Sequence, residues 1–208
     1  QPEELIDYEL GWKYNAEKFF FNSNLYYMGY KNQLVLTGAL DDVGSPIREN
    51  SGKSYRMGIE LESVYKATNK LNISANISLS ENKNVDYKTN YNGVITDWGD
   101  TDISFSPNVI SSAGIQFSAS QDLTFTLLNK FVGNQYMSNT ESNISRLSSY
   151  STTDLNILYT IKNSAYFSEI IFTAMINNIF NKEYVSNGYY YTYDDTWSDP
   201  NIITTIEG

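Results

Sequence analysis

From Leu71 to Leu79 every second residue is apolar: Leu71, Ile73, Ala75, Ile77 and Leu79 alternate with Asn72, Ser74, Asn76 and Ser78. A period of two puts one set on each side of a β-strand, so this stretch predicts a strand with one greasy and one polar face. The segment before it repeats the pattern, with Met57, Ile59 and Leu61 opposite Arg56, Gly58, Glu60, Glu62 and Lys66. Further on, Val109, Ala113, Ile115 and Phe117 oppose Asn108, Ser112, Gly114 and Gln116, while Leu123, Phe125 and Leu127 oppose Thr124 and Thr126. Leu155, Ile157, Tyr159 and Ile161 oppose Asp154, Asn156 and Thr160, and near the start Tyr8, Leu10, Trp12 and Tyr14 oppose Asp7, Glu9, Gly11 and Lys13. An aromatic strand is expected over Phe19 to Lys31, with its register open, and a more continuously apolar one over Ile170 to Asn178. That makes about eight strands, each near the roughly 9–11 residues that cross a bilayer at a tilt.

The connections alternate in length. Short turns are expected at Asn15 to Lys18, Thr68 to Lys70, Ala119 to Asp122 and Lys162 to Tyr166; longer polar loops are expected at Asn32 to Lys53, Glu81 to Asp102 and Ser138 to Ser149. Short turns at one rim and long loops at the other are the rhythm of an outer-membrane barrel. Aromatics gather at the predicted strand ends: Trp12, Tyr14, Phe19, Phe20 and Phe21 flank the first short turn, Tyr65 and Phe117 end strands at short turns, and Phe131 and Tyr136 approach a long loop. Such placement fits interfacial girdles, although Tyr and Phe are also good strand residues wherever they occur.

Composition narrows the function classes. Of 208 residues 15% are aromatic, including 18 Tyr, while Pro is scarce and both Cys and His are absent. Without cysteine there is no disulfide and no thiol nucleophile; without histidine a Ser-His-Asp triad is excluded and a zinc site would be unusual. A net charge of -10 with no basic patch argues against nucleic acid as a partner. No long apolar run is present for a helical span, which does not exclude a barrel. The first residues carry no signal-peptide pattern, so the chain is either mature or a piece of something longer.

Three groups of residues are candidates for chemistry. Glu60 and Glu62 share one strand face about 7 Å apart, within reach of an inverting-glycosidase geometry, but Arg56 and Lys66 share that face and a charge ladder lining a polar interior is the preferred reading. Asp97, Asp100 and Asp102 cluster hard oxygen ligands in a predicted loop and form a candidate Ca²⁺ site, without EF-hand spacing; solvated loop tips are the competing reading, as they are for Asp194, Asp195 and Asp199. Tyr87, Tyr91, Trp98, Tyr190, Tyr193 and Trp197, with Tyr189 and Tyr191, place aromatic faces in or beside loops, where they either grip a ligand by stacking or pack the loops together. No cofactor is implied.

Three stretches carry a family resemblance: Asn24 to Gly38 (NLYYMGYKNQLVLTG), Ser54 to Glu62 (SYRMGIELE) and Asn177 to Tyr184 (NNIFNKEY). They resemble the late barrel strands of TonB-dependent receptors, the last one resembling the family's penultimate strand. The resemblance covers nearly the whole chain and implies a fragment of a 22-stranded antiparallel transmembrane β-barrel in the outer membrane of a Gram-negative bacterium. It further implies import of a scarce nutrient, such as an iron-siderophore, haem or cobalamin, with a glycan as the alternative cargo. Implied partners are the TonB complex, acting through a plug domain, the imported ligand, and outer-membrane lipid and lipopolysaccharide. Residues 1–208 are then expected to be the C-terminal part of the barrel, with plug and final strand absent. Two rivals make different demands: a soluble β-sandwich for adhesion or glycan binding must bury its apolar faces between two sheets, and a small-barrel protease or lipase needs a nucleophile and base that the missing histidine argues against.

Overall fold

The computed structural model of the chain describes residues 2–40, 43, 45–50, 52–91, 93–162, 166–190, 192–195 and 204–207. The elements are β1 (Glu4–Asn15), β2 (Phe19–Lys31), β3 (Leu34–Leu40), β4 (Pro46–Asn50), β5 (Lys53–Lys66), β6 (Leu71–Tyr91), β7 (Val94–Asp102), β8 (Val109–Ser118), β9 (Leu123–Val132), β10 (Gln135–Tyr136), β11 (Arg146–Leu147), β12 (Tyr150–Lys162), β13 (Glu169–Ile176), β14 (Thr192–Asp195) and β15 (Thr204–Glu207), with one 3₁₀ turn at Asn143–Ser145. Eight strands form a continuous antiparallel path, β1-β2-β5-β6-β8-β9-β12-β13, with β7 added to the upper part of β6. These are the eight strands that the alternation predicts. The sheet is open: β1 and β13 are its two edges.

The register sorts side chains by chemistry. Leu10 of β1 pairs with Leu25 of β2, which pairs with Ile59, Leu79 and Val109 in turn. On the opposite face Lys13, Asn22, Glu62, Asn76, Ser112, Lys130 and Thr152 form an equally continuous row. The open register of Phe19 to Lys31 is settled by pairing: Phe21, Leu25 and Tyr27 join the apolar face because their partners across β1 and β5 are Tyr14, Leu10, Tyr8, Ile59 and Met57. Large apolar side chains on this face stay uncovered, Leu10 at 70% and Trp12 at 59% exposure. Among the described residues no second sheet lies over them, which contradicts the sandwich alternative.

The rows also measure tilt. Tyr14, one residue from the end of β1, stands in the same perpendicular row as Thr153, nine residues from the end of β12. A climb of eight residues over six inter-strand steps, at about 3.3 Å and about 4.8 Å respectively, slopes the strands by roughly 40°. That is the tilt and stagger by which a sheet closes into a barrel.

Aromatic rings collect at the short-turn rim of the apolar face. Trp12, Tyr14, Phe19 and Phe21 form a contiguous patch with centroid separations of 5.6 to 6.4 Å. Phe20 points to the other face, where the Lys13 ammonium lies 5.6 Å from its centroid.

Four expectations need correction. The stretch Glu81 to Asp102 is not a loop: β6 continues to Tyr91 and β7 returns beside it. Likewise Asn32 to Lys53 holds the β3-β4 pair, and Ser138 to Ser149 holds the 3₁₀ turn and β11. The reason is that a ladder of backbone hydrogen bonds requires no apolar face, so polar sequence away from lipid still forms hairpins. Finally, the strand expected to reach Asn178 ends at Ile176, and Asn177 to Tyr184 is a hydrogen-bonded turn. Asn178 and Asn181 both adopt left-handed φ values, 49° each, which breaks the ladder. The turn expected at Lys162 to Tyr166 lies partly outside the described residues.

A lysine placed on either face separates the two environments. In the full-length protein in a lipid bilayer, Ile77→Lys is expected to destabilise the sheet by about 2–4 kcal/mol, whereas Ser78→Lys next to it changes stability little. Denaturant titration followed by the heat-modifiable mobility of the barrel reads both.

Candidate functional site

The most buried of the described residues lie beyond the long-loop rim, where β6-β7 and the Ser138 to Ser149 connection dock. Tyr87 is 1% exposed, Asn84 0% and Asn139 2%. The Asn84 Nδ2 group donates to Thr101 Oγ1 at 3.3 Å and to Asn139 Oδ1 at 3.2 Å. Asn139 Oδ1 also accepts the Ser104 backbone N–H at 2.9 Å, tying three segments through one side chain. Around this centre Lys83 binds Asp102 at 2.7 Å and Glu141 at 3.4 Å, and the Asp102 backbone N–H donates to Glu141. Burial pulls the Lys83 ammonium towards losing its proton, but the hydrogen bond and charge of Asp102, with help from Glu141, outweigh it, and its pKa is raised. A half-buried triad of one cation and two carboxylates thus locks one connection onto the other.

The locked crown carries the segment Ile103 to Asn108 back to the polar wall. Its ties are the Ile103 N–H to Asn82 O at 3.0 Å, the Phe105 N–H to Tyr136 O at 2.8 Å and the Ser80 N–H to Asn108 O at 2.9 Å. Between this segment and the wall is a hollow of about 340 Å³, lined by Glu9, Tyr26, Met28, Arg56, Glu60 and Phe105 among others. The Arg56 Nη1 donates to Ser106 Oγ at 2.9 Å and to Asn82 Oδ1 at 3.4 Å. The ladder expected between Arg56, Lys66, Glu60 and Glu62 does not form as ion pairs: these four share the polar face, yet Arg56 bonds to neutral oxygens.

The three candidate calcium ligands have separate partners. Asp97 pairs with Lys88 at 3.0 Å and accepts the Gly99 N–H at 3.0 Å; Asp100 accepts the Asp86 N–H at 3.0 Å; Asp102 holds Lys83. Asp86 and Gly99 stand at φ 50° and 69°, in the irregular part of the β6-β7 register, so the Asp97 and Asp100 carboxylates cap backbone groups that this irregularity frees. The Lys88 ammonium and then the Gly99 N–H hold the Asp97 carboxyl below its usual range. Among the described residues no three acidic side chains converge as a metal site would require.

Of the candidate ligand aromatics, Tyr87 is enclosed in the crown and Trp98 is half exposed, its Nε1 donating to Thr89 Oγ1 at 3.0 Å. Tyr190 is half-buried after the Asn178 turn. The side chains of Tyr91 and Tyr193 and the whole of Trp197 lie outside the described residues, as does Tyr191. Of the residues that organise the site, Arg56 stands on the polar face that the alternation predicts, whereas Asn84, Asn139 and Phe105 are not recognisable in the sequence. Asparagines inside polar stretches have the same composition whether solvated or buried, and only long-range pairing distinguishes them.

The profile of the family described as TonB dependent receptor-like, beta-barrel, matches residues 1–179. No curated protein matches by sequence. Among solved structures, the ferric yersiniabactin uptake receptor FyuA from Yersinia pestis is similar at TM-score 0.65 and 18% identity, over 92% of this chain and 26% of that one. The siderophore receptor PiuA from Acinetobacter baumannii matches at TM-score 0.65 and 19% identity, over 90% of this chain and 25% of its own. The copper transporter OprC matches at TM-score 0.65 and 17% identity, over 89% of this chain and 26% of its own. The chain therefore spans about a quarter of the length of these solved relatives.

Removing the shared acceptor isolates the crown's contribution. Asn139→Ala removes one of the two acceptors of the Asn84 amide and strands the Ser104 N–H at a cost of about 1–3 kcal/mol, so hydrogen exchange at Ser104 is expected to accelerate tenfold or more while exchange in β5 is unchanged. The lysine triad adds a sign test. Because the Lys83 pKa is raised on folding, its contribution is present below the unfolded value and disappears as pH rises through the folded one. Crown protection is therefore expected to fall at alkaline pH, and Lys83→Met to lose that alkaline step.

Proposed function

We propose, on the premise that this chain belongs to the TonB-dependent receptor-like β-barrel family, that it is the late arc of an outer-membrane receptor importing a scarce nutrient with energy delivered by TonB. The observation that carries this reading is the single tilted sheet with one lipid-compatible and one polar face, matched to the family over residues 1–179. Members of this family are transport receptors of the Gram-negative outer membrane rather than enzymes. The absence of histidine and cysteine agrees with a binding role.

The cargo we favour is an iron-siderophore or a related metal complex, with haem and cobalamin in the same class. Support comes from the relatives: FyuA is named for ferric yersiniabactin uptake, PiuA as a siderophore receptor and OprC as a copper transporter. In the whole receptor, residues 1–208 form the C-terminal part of a 22-stranded barrel, the remaining strands and the plug being supplied by the rest of the protein. The TonB complex engages that plug, lipid and lipopolysaccharide meet the apolar face, and the polar face lines the lumen. Trp98 and Tyr190 are candidates for contact with the arriving ligand, and a calcium ion at Asp97, Asp100 and Asp102 would require the hairpin carboxylates to exchange their present partners.

Growth of a strain deleted for the full gene tests the reading. On iron-chelated medium supplied with single iron complexes, the deletion is expected to abolish growth on one complex, and the restored gene to recover it. Normal growth on every metal complex together with loss of growth on one glycan would replace the metal-complex cargo by the glycan.

A further inference from the structure

We propose that Arg56, Tyr26 and Phe105 form a docking point for a planar anionic group, a carboxylate or phenolate carried on a ring, in the hollow beneath the crown. The inference rests on the reading that the polar face lines the receptor lumen. At about 340 Å³ the hollow falls in the range of small-molecule sites, about 300–1,000 Å³.

Arg56 is the reason for the charge. A guanidinium presents five N–H donors in a rigid fork suited to carboxylate edges. Only Nη1 is engaged, and both its acceptors, Ser106 Oγ and Asn82 Oδ1, are neutral. None of the ion pairs among the described residues includes Arg56. The positive charge is therefore oriented by two hydrogen bonds and, among the described residues, forms no ion pair, at the side of an open hollow whose other charged lining residues are Glu9 and Glu60.

The rings are the reason for planarity. Phe105 adopts φ 53°, a left-handed conformation that is costly for a bulky side chain. It is kept there by the Phe105 N–H to Tyr136 O and the Ser104 N–H to Asn139 Oδ1 bonds, and Ser106 Oγ closes the turn by donating to Ser104 O at 3.1 Å. The strain is thus held by the crown's own polar centre, and what it achieves is an aromatic face on the hollow. From the wall, Tyr26 lies across Gly58, where an added Cβ would meet the Tyr26 hydroxyl at 2.9 Å. Both rings and the fork-shaped cation line the same hollow, a set of groups that suits a flat anion.

Glu9 and Glu60 line the lower part of the hollow, with Glu60 about 13 Å along β5 from Arg56. They repel a second anionic group and accept hydroxyl donors, so the slot suits a ring with one anionic edge and neutral hydroxyls elsewhere.

Benzoate is the probe, with benzyl alcohol as its neutral counterpart, each titrated by calorimetry or saturation-transfer NMR into the purified full-length receptor. Benzoate is expected to bind saturably, and Arg56→Gln to weaken it at least tenfold while benzyl alcohol binding stays constant. Arg56→Lys recovers part of the loss, and Phe105→Leu weakens both probes several-fold; heat-modifiable mobility verifies that each variant keeps its barrel. The proposal is overturned if wild-type receptor shows no saturable benzoate binding, or if Arg56→Gln leaves it unchanged or weakens both probes alike, since the last result describes a merely structural arginine. A receptor that binds no benzoate yet still supports growth on its metal complex removes this slot and leaves the import reading standing.

Discussion

A backbone that crosses hydrocarbon has no water to satisfy its N–H and C=O groups, so every one must pair within the protein. This requirement organises the whole chain. The unbroken ladder from β1 to β13 satisfies it strand by strand, and the alternation of side chains follows, because each residue in a pleated strand must face either lipid or the interior. The stagger of the rows follows too, since a sheet that closes on itself has to tilt. The outer edges of β1 and β13 are where the ladder stops, and the larger barrel proposed above is what continues it.

Beyond the rim the constraint is lifted, and the chain changes character. β6 runs 21 residues, far past the bilayer, and its upper part exchanges β8 for β7 as partner. Here stability comes from burial of polar groups against one another: Asn84, Asn139 and Thr101 are enclosed, with Tyr87 and Ile103 as the apolar complement. Buried amides are costly unless bonded, so a network of this kind specifies one arrangement of the connections rather than many. The consequence for function is a fixed rather than loose segment above the wall, able to hold Phe105 in a conformation it would not adopt alone.

The membrane arc was legible because its signal is local. Leu71 to Leu79 declares its faces residue by residue, and the family resemblance of Ser54 to Glu62 sits in a strand as expected. The crown was far less legible. Its strands lack an apolar face, so Thr89, Asn90 and Tyr91 read as loop; the Asn92-Gly93 dipeptide, the favoured two-residue hairpin connection, was the available clue. Asn177 to Tyr184 was misplaced for the opposite reason: its motif resembles a strand, whereas the Asn178 N–H to Asp154 bond of 2.7 Å and the Tyr150–Tyr184 stack at 4.4 Å depend on residues far back in the chain. Pairings across dozens of residues cannot be read from a period.

The central claim is that odd and even residues of one strand inhabit lipid and water respectively. Single cysteines at Ile115 and Gln116 in a cysteine-free full-length receptor, each carrying a fluorescent label in a bilayer, test it directly. The account predicts that the label at 115 is quenched by spin-labelled lipid and not by aqueous iodide, and that the label at 116 shows the reverse; equal quenching at both positions, or burial of the label at 115 from both quenchers, would contradict it.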